Sequence, residues 1–115
     1  MEFDYGAYEG RTRADILRER PEWDLWRDGC PQGETAERVG IRADRVVSEA
    51  RSVEGDVVIF AHGHLLRVLG ARWLHAPAPF AERLALSTGS VSVLGWEHSA
   101  EVIWLWNDVS HLTPK

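Results

Sequence analysis

Two histidines interrupt an otherwise apolar stretch of the sequence, VVIFAHGHLLRVL at residues 57–69. An imidazole can donate a hydrogen bond to a phosphoryl oxygen, and a neighbouring glycine lets the backbone approach a ligand closely. His62, Gly63 and His64 are therefore candidates for binding an anion such as phosphate. The stretch leaves a second interpretation open, in which His62 is a capping or core histidine whose hydrogen bonds the protein itself satisfies.

Metal binding is a weaker interpretation of the two histidines. His62 and His64 are two positions apart, and no further ligands follow at the spacing that zinc sites show. The single cysteine, Cys30, has no partner for a disulfide, so an ordinary loop thiol is the preferred interpretation. We expect neither a metal ion nor an organic cofactor.

The elements around His62 predict where its side chain lies. The run DVVIFA, residues 56–61, is too short for a helix and predicts a strand buried on both faces, as in a parallel sheet. The run LLRVLGARWLH, residues 65–75, predicts a deeply packed helix that is apolar nearly all round. We therefore expect His62 at the carboxyl edge of a sheet and the start of a helix, facing a cleft that solvent reaches.

The rest of the chain predicts helices before this unit and a hairpin after it. Thr12 is placed to cap a short helix, and a longer amphipathic helix is predicted from Glu34 to about Arg51. The segment SVSVLGWEHSAEVIWLWN, residues 90–107, contains two β-rich runs separated by polar residues, which is typical of a hairpin. The order helix, strand, helix, hairpin predicts an α/β fold.

Composition limits the classes of protein to consider. The 115 residues suffice for a single domain, residues 1–115. No stretch approaches the roughly 18 apolar residues of a membrane span. A net charge of −5 without a basic run argues against a nucleic-acid partner, whereas a small phosphorylated substrate needs only a local positive pocket. The acidic start, MEFDYGAYEG, lacks a signal-peptide pattern, so we expect a cytoplasmic protein.

Three segments together resemble the histidine phosphatase superfamily, which includes cofactor-dependent phosphoglycerate mutase and many small phosphomonoesterases. VVIFAHGHLLRVLGARWL resembles the second histidine motif of that family, a strand that leads into Ala-His-Gly and a helix. MEFDYGAYEGRT is similar to its acid segment, and GCPQGET resembles the Gly-Glu-Ser/Thr that opens its long helix. Each segment is weak evidence alone, but their order and spacing are specific to the family.

The resemblance implies a role for each candidate site residue. His62 corresponds to the second catalytic histidine, which hydrogen-bonds the transferring phosphoryl group and is not the nucleophile. Glu2 corresponds to the proton donor for the leaving oxygen, a role that a raised pKa in a partly buried site would favour. The resemblance implies that Gly63 offers its amide to the phosphate, that His64 touches substrate and that Tyr5 lines the pocket.

One element that the resemblance implies is not found in the sequence. Family members begin with a strand ending in Arg-His-Gly, whose histidine attacks phosphorus, but none of the five histidines here follows an arginine. Phosphoryl transfer depends on a positioned nucleophile and on charge neutralisation. We therefore expect the chain alone not to turn over. A truncated sequence is the preferred explanation, ahead of a fragment completed by another polypeptide and a degenerate noncatalytic relative.

The resemblance also implies a fold and an assembly. The implied fold is an α/β three-layer sandwich of the phosphoglycerate mutase-like type, truncated at its amino terminus and ending in a β-hairpin. The truncation would leave both edges of the strand at 56–61 unpaired, which favours a homodimer or larger assembly.

The predicted function is a phosphoric monoester hydrolase that works through a phosphohistidine intermediate. Two alternatives stay open, a noncatalytic phosphate-binding or interaction module and a phosphoglycerate mutase-type isomerase. The phosphatase is preferred to the mutase because mutases carry longer insertions around the substrate, for which this short chain has no room.

Overall fold

Four α-helices and one β-hairpin form the part of the chain that the computed structural model describes, residues 2–112. The helices are α1 Arg13–Glu19, α2 Leu25–Asp28, α3 Ala36–Arg51 and α4 Gly63–Trp73, and the strands are β1 Val91–Glu97 and β2 Ala100–Asp108. Short 3-10 helices span Gly6–Tyr8, Ala78–Arg83 and Ser110–Leu112. The predicted mixture of helices and a carboxyl-terminal hairpin is confirmed.

Side-chain caps set where the first helices begin. The hydroxyl of Thr12 accepts a hydrogen bond from the amide of Asp15 at 3.1 Å, which confirms the predicted start of α1. Thr35 accepts in the same way from the amide of Arg38, so α3 begins at Ala36, two residues after the predicted start at Glu34. Each cap satisfies an amide that the first helical turn leaves unpaired.

The core lies where α3 packs against α4. Val39 and Ala43 on α3 and Val68 on α4 are fully buried. Gly40 allows the close approach of the segment after α4, since a Cβ there would lie 3.0 Å from the Cβ of Ala78. The deep packing predicted for α4 is therefore confirmed.

The hairpin is antiparallel and is joined to α4 by a tryptophan. Gly95 of β1 lies opposite Val102 of β2, and the turn at His98 has a positive φ of 56°. The indole of Trp73 donates to the carbonyl oxygens of Gly95 and Val102 at 3.3 and 3.1 Å. The paired strands therefore pack as one unit on the end of α4.

The strand predicted at 56–61 is not formed, and this prediction is wrong. Residues 56–62 have no regular structure, and the side chains of Val58 and Phe60 are 74% and 92% exposed. A strand needs a neighbour to pair its backbone N–H and C=O groups. Within residues 2–112 the sheet contains β1 and β2 alone, so an apolar run of the right composition has no strand beside it.

Candidate active site

An ion pair fixes the acid segment, residues 2–6, to the start of α3. The Nη2 and Nε atoms of Arg42 donate to the two carboxylate oxygens of Glu34 at 2.7 and 2.9 Å. Arg42 also donates to the carbonyl oxygen of Glu2 at 2.9 Å. The amide of Asp4 donates to Glu34 Oε1 at 2.8 Å. Glu34 and Arg42 therefore position Glu2, a role that the sequence analysis missed.

Two glycines let the acid segment approach the loop before α3. Gly6 has a φ of +52°, and a Cβ at Gly33 would lie 2.4 Å from the carbonyl oxygen of Asp4. The amide of Ala7 donates to the carbonyl oxygen of Pro31 at 2.8 Å. This backbone contact has no room for a side chain at position 33, so the glycines of the Tyr-Gly and Gln-Gly pairs are needed for the contact itself.

The carboxylate of Glu2 lies at the amino terminus of α4. Its Oε1 atom accepts from the amides of Leu65 at 2.9 Å and Phe3 at 3.0 Å, and its Oε2 atom accepts from the amide of His64 at 3.2 Å. Residues 62 or 63 positions apart in the sequence thus meet at one point. A negative charge is stabilised there by unpaired amides and by the helix dipole.

These contacts decide the ionisation of Glu2. Burial raises its pKa, but the amides of Phe3, Leu65 and His64 lower it, and the net pKa lies below the ordinary value. The expectation of a raised pKa is therefore wrong for this arrangement, because three N–H donors favour the charged form more than burial disfavours it. Glu2 is a carboxylate at neutral pH.

The ring of His64 is enclosed by aromatic side chains. Phe3, Tyr5 and Trp26 each present an edge-to-face contact to it, with ring centroids 6.3, 5.7 and 5.4 Å away. Burial lowers the pKa of His64, while the negative charge of Glu2 opposes that shift. The imidazole is therefore largely neutral at neutral pH.

A hydrogen bond joins Tyr5 to the neutral ring of His64. The Tyr5 hydroxyl lies against Nδ1 of His64. Burial, followed by the charge of Glu2, raises the pKa of Tyr5 to about 12, so the phenol stays protonated.

His62 and Gly63 lie on the open side of the same helix end. His62 precedes the first turn of α4 in an extended conformation, its ring makes no capping hydrogen bond, and its side chain is exposed. The interpretation of His62 as a capping or core histidine therefore does not hold. The amide of Gly63 donates no hydrogen bond within the described residues, and a Cβ at Gly63 would meet no atom within 4 Å. An anion can reach this amide without displacing Glu2.

A cleft of about 550 Å³ lies beside Tyr5 and His64. Both predicted residues line it, whereas His62 and Gly63 do not. Its other lining residues are aromatic, aliphatic, charged and small ones: Tyr8, Glu9, Gly10, Arg11, Arg13, Ile16, Trp23, Asp24, Leu25, Trp26, Cys30 and Arg67. The structure thus places Tyr5 and His64 in the wall of this cleft, and His62 and Gly63 outside its lining.

A second hollow, of about 610 Å³, is less suited to chemistry. It is lined by Arg20, Pro21, Glu22, Trp23, Arg27 and Asp28 and contains none of the predicted site residues. Three of its charged side chains are already engaged, since Arg27 and Asp28 form an ion pair at 2.9 Å and Arg20 donates to the hydroxyl of Tyr8 at 3.1 Å. We therefore take the cleft beside His64 as the candidate site.

Three further findings concern the reactivity of the cysteine, metal binding and membrane-spanning helices. Burial, followed by the charges of Asp4 and Glu9, raises the pKa of Cys30 to about 11, so its thiol is protonated and unreactive at neutral pH. From residue 2 to residue 112, no group of three or more His, Cys, Asp or Glu side chains could hold a metal ion. None of the helices in this range is long and apolar enough to cross a membrane.

A model of the histidine phosphatase superfamily (branch 1) matches residues 1–109 of the chain. An acid phosphatase of Mycobacterium tuberculosis is 36% identical over 115 residues, which cover 98% of this chain and 57% of the relative. A sedoheptulose 1,7-bisphosphatase of Saccharomyces cerevisiae is 38% identical over 90 residues, which cover 63% of this chain and 33% of the relative. The chain thus spans little more than half of the first relative and a third of the second.

Solved structures show the same likeness. The structure of an open reading frame product of Mycobacterium tuberculosis superposes with a TM-score of 0.88 at 36% identity, covering 92% of this chain and 56% of the other. An alpha-ribazole phosphatase from Shigella flexneri superposes with a TM-score of 0.74 at 22% identity, covering 93% of this chain and 57% of the other. The second comparison concerns the fold alone.

Proposed function

Because the chain belongs to the histidine phosphatase superfamily (branch 1), we propose that it supplies the second-histidine part of a phosphomonoesterase site. The observation that carries this proposal is the meeting of the Glu2 carboxylate with the first turn of α4. That contact brings the acid segment to the open amide of Gly63 and the exposed ring of His62. The expected active residues thus share one helix end.

In this proposal the phosphoryl group binds on the open side of the helix end. The Gly63 amide and the His62 ring donate hydrogen bonds to phosphoryl oxygens, and both are free to do so because neither has an acceptor within the described part of the chain. His64 and Tyr5 line the adjacent cleft and face the leaving group. Donors held in place before the reaction stabilise the charge that develops in the transition state.

Glu2 then acts as the proton donor. A phosphoryl dianion placed beside Glu2 raises the pKa of its carboxyl group by like-charge repulsion, so the carboxylate takes up a proton when substrate binds. The P–O bond to the leaving group breaks as a histidine attacks phosphorus, and the leaving oxygen takes the proton from Glu2. Water then cleaves the phosphohistidine, and the Glu2 carboxylate takes one proton from that water.

The attacking histidine comes, in this proposal, from a polypeptide segment outside these 115 residues. None of the five histidines in the sequence follows an arginine. A hydrolase is favoured over a mutase because two relatives are phosphatases by name, the acid phosphatase and the sedoheptulose 1,7-bisphosphatase. The proposed substrate class is a small phosphate ester, and the proposed compartment is the cytoplasm.

The complete sheet of a three-layer sandwich also needs strands from outside this chain. The segment 57–60 is apolar and exposed, with Phe60 at 92%, and its backbone is available for pairing. We expect the 115-residue chain by itself to cover this segment with a second copy, forming a dimer or larger assembly.

Hydrolysis of an aryl phosphate tests the proposal. The 115-residue chain should stay at background, and a form extended by an upstream Arg-His-Gly segment should turn over. In the extended form His62→Asn should lower kcat by about 100-fold or more, the scale expected when a preorganised donor is lost. His98→Asn, in the exposed hairpin turn, is the matched control and should leave kcat unchanged. Robust His62-dependent activity from a monomeric 115-residue chain would contradict the proposed division of the site.

A further inference from the structure

The cleft beside His64 carries the opposite charge from the chain as a whole. Its lining contains three arginines and two carboxylates, a net excess of one positive charge, whereas the chain has a net charge of −5. Local positive charge in a walled cleft raises the concentration of anions there. In the proposed function the phosphoryl group binds at His62 and Gly63, which do not line the cleft.

Two of the three cleft arginines already bind other groups of the protein. The guanidinium of Arg67 donates to the carbonyl oxygens of Ala81 and Glu82 at 3.1 and 3.0 Å, and it lies 5.1 Å from the ring centroid of Trp26. Arg11 forms an ion pair with Glu19 at 3.1 Å. These two side chains shape the wall of the cleft and have little capacity left for a ligand.

Arg13 is the arginine left available for a ligand. It is the first residue of α1 and is exposed, and its guanidinium has no partner among residues 2–112. One cleft carboxylate, that of Asp24, is occupied as the cap of α2, where it accepts from the amide of Arg27 at 3.1 Å. The other, Glu9, forms no ion pair with Arg13 in the described structure and opposes an anion bound at this rim.

The wall between His64 and Arg13 is aromatic. Tyr5 and Tyr8 lie three positions apart, and Tyr8 makes an edge-to-face contact with Trp23 at 5.5 Å. Trp26 closes the side nearest His64 at 5.4 Å. Such a wall favours a flat, partly apolar group that packs against the rings.

We propose that this cleft is a leaving-group subsite for phosphate esters whose flat leaving group carries a second anionic group, and that Arg13 determines this specificity. The proposal rests on the proposed function, because the phosphoryl end of the ester lies at His62 and Gly63. The leaving group then extends past Tyr5 and His64 along the aromatic wall to the guanidinium of Arg13.

Binding to the 115-residue chain tests this subsite without requiring turnover. The probes are phenyl phosphate and 4-carboxyphenyl phosphate, which differ by one carboxylate. Trp23 and Trp26 line the cleft, so quenching of tryptophan fluorescence reports binding. Arg13→Gln should weaken 4-carboxyphenyl phosphate about tenfold, the scale of a charge-assisted hydrogen bond, and leave phenyl phosphate unchanged. Arg18→Gln is the matched control, because Arg18 lies on the same helix outside the cleft.

Two further variants separate this proposal from the proposed function. Glu9→Gln should tighten 4-carboxyphenyl phosphate, since it removes the opposing charge. If His62 binds the phosphoryl group, His62→Asn should weaken the binding of both esters equally. If Arg13→Gln weakens the binding of 4-carboxyphenyl phosphate but His62→Asn weakens neither ester, the subsite stands and the phosphoryl site is refuted. Equal losses of both esters at Arg13→Gln, no loss of either, or no saturable quenching at millimolar concentrations would overturn the subsite.

Discussion

Replacing Glu2 with alanine tests the contact that joins the acid segment to α4. The variant leaves the amides of His64 and Leu65 without the carboxylate that accepts from them at 3.2 and 2.9 Å. The ring of His62 does not cap the helix in its place. The first turn of α4 therefore loses both its hydrogen-bond acceptor and the negative charge that its dipole favours.

The expected loss follows from the number and exposure of these contacts. Removing a side-chain cap costs about 0.5–2 kcal/mol of unfolding free energy, and the side chain of Glu2 is 26% exposed, so water can replace part of what is lost. We expect Glu2→Ala to lower the unfolding free energy by about 1–2 kcal/mol, which for a domain of this size lowers the melting temperature by about 4–8 °C.

Thermal and urea unfolding of the wild type, Glu2→Ala and Glu2→Gln measure this loss. Glu54→Gln, at an exposed loop position, is the control for removing one negative charge and should be neutral. Because the folded pKa of Glu2 lies below its ordinary value of 4.5, the charge-dependent part of its contribution is complete above that value. This part is lost as the pH falls through the lower folded pKa. A loss below about 0.3 kcal/mol for Glu2→Ala, within the usual range for exposed sites, would refute the capping role.

The remaining predictions concern packing, protonation and assembly. Gly33→Ala should lower the unfolding free energy by about 2 kcal/mol or more, because its Cβ would lie 2.4 Å from the carbonyl oxygen of Asp4. Gly63→Ala is the control and should not lower the unfolding free energy in this way, since the space around Gly63 is open. Equal melting temperatures for the two variants would contradict this prediction. His64 has a lowered folded pKa, so its contribution to stability is complete above its ordinary value of 6.5 and is lost as the pH falls through the folded pKa; His64→Phe should flatten that part of the stability curve. Light scattering should find a dimer or larger assembly, and Phe60→Ser should shift it towards monomer; a monomeric wild type would contradict this.

Contacts between residues that are close in the sequence made much of the fold predictable. Thr12 caps α1 through a contact three residues away, and the turn at His98 connects strands that are adjacent in the chain. Such contacts depend on neighbouring residues alone. The strand predicted at 56–61 failed for the opposite reason, because a buried strand of a parallel sheet needs a partner from a distant part of the sequence.

The sequence indicated which residues to consider for the candidate site, but not how they are arranged. The resemblance brought Glu2, Tyr5 and His64 into one site, and the structure places their side chains in contact. The lowered pKa of Glu2 could not be predicted, because two of the three amides that lower it belong to residues more than 60 positions away. The ion pair of Glu34 and Arg42 joins residues eight positions apart. This spacing predicts no contact from the sequence alone, and the role of the pair becomes visible only once the acid segment is folded against α3.

Phosphate binding at the Gly63 amide tests the central claim most directly. In a 15N-labelled 115-residue chain titrated with inorganic phosphate at mildly acidic pH, the amide of Gly63 should show the largest saturable shift in the NMR spectrum. The ring signals of His62 should move with the same midpoint, and His62→Asn should weaken binding while His98→Asn does not. Phosphate shifts centred on other residues, with Gly63 and His62 unmoved, would contradict the placement of the phosphoryl group at this helix end.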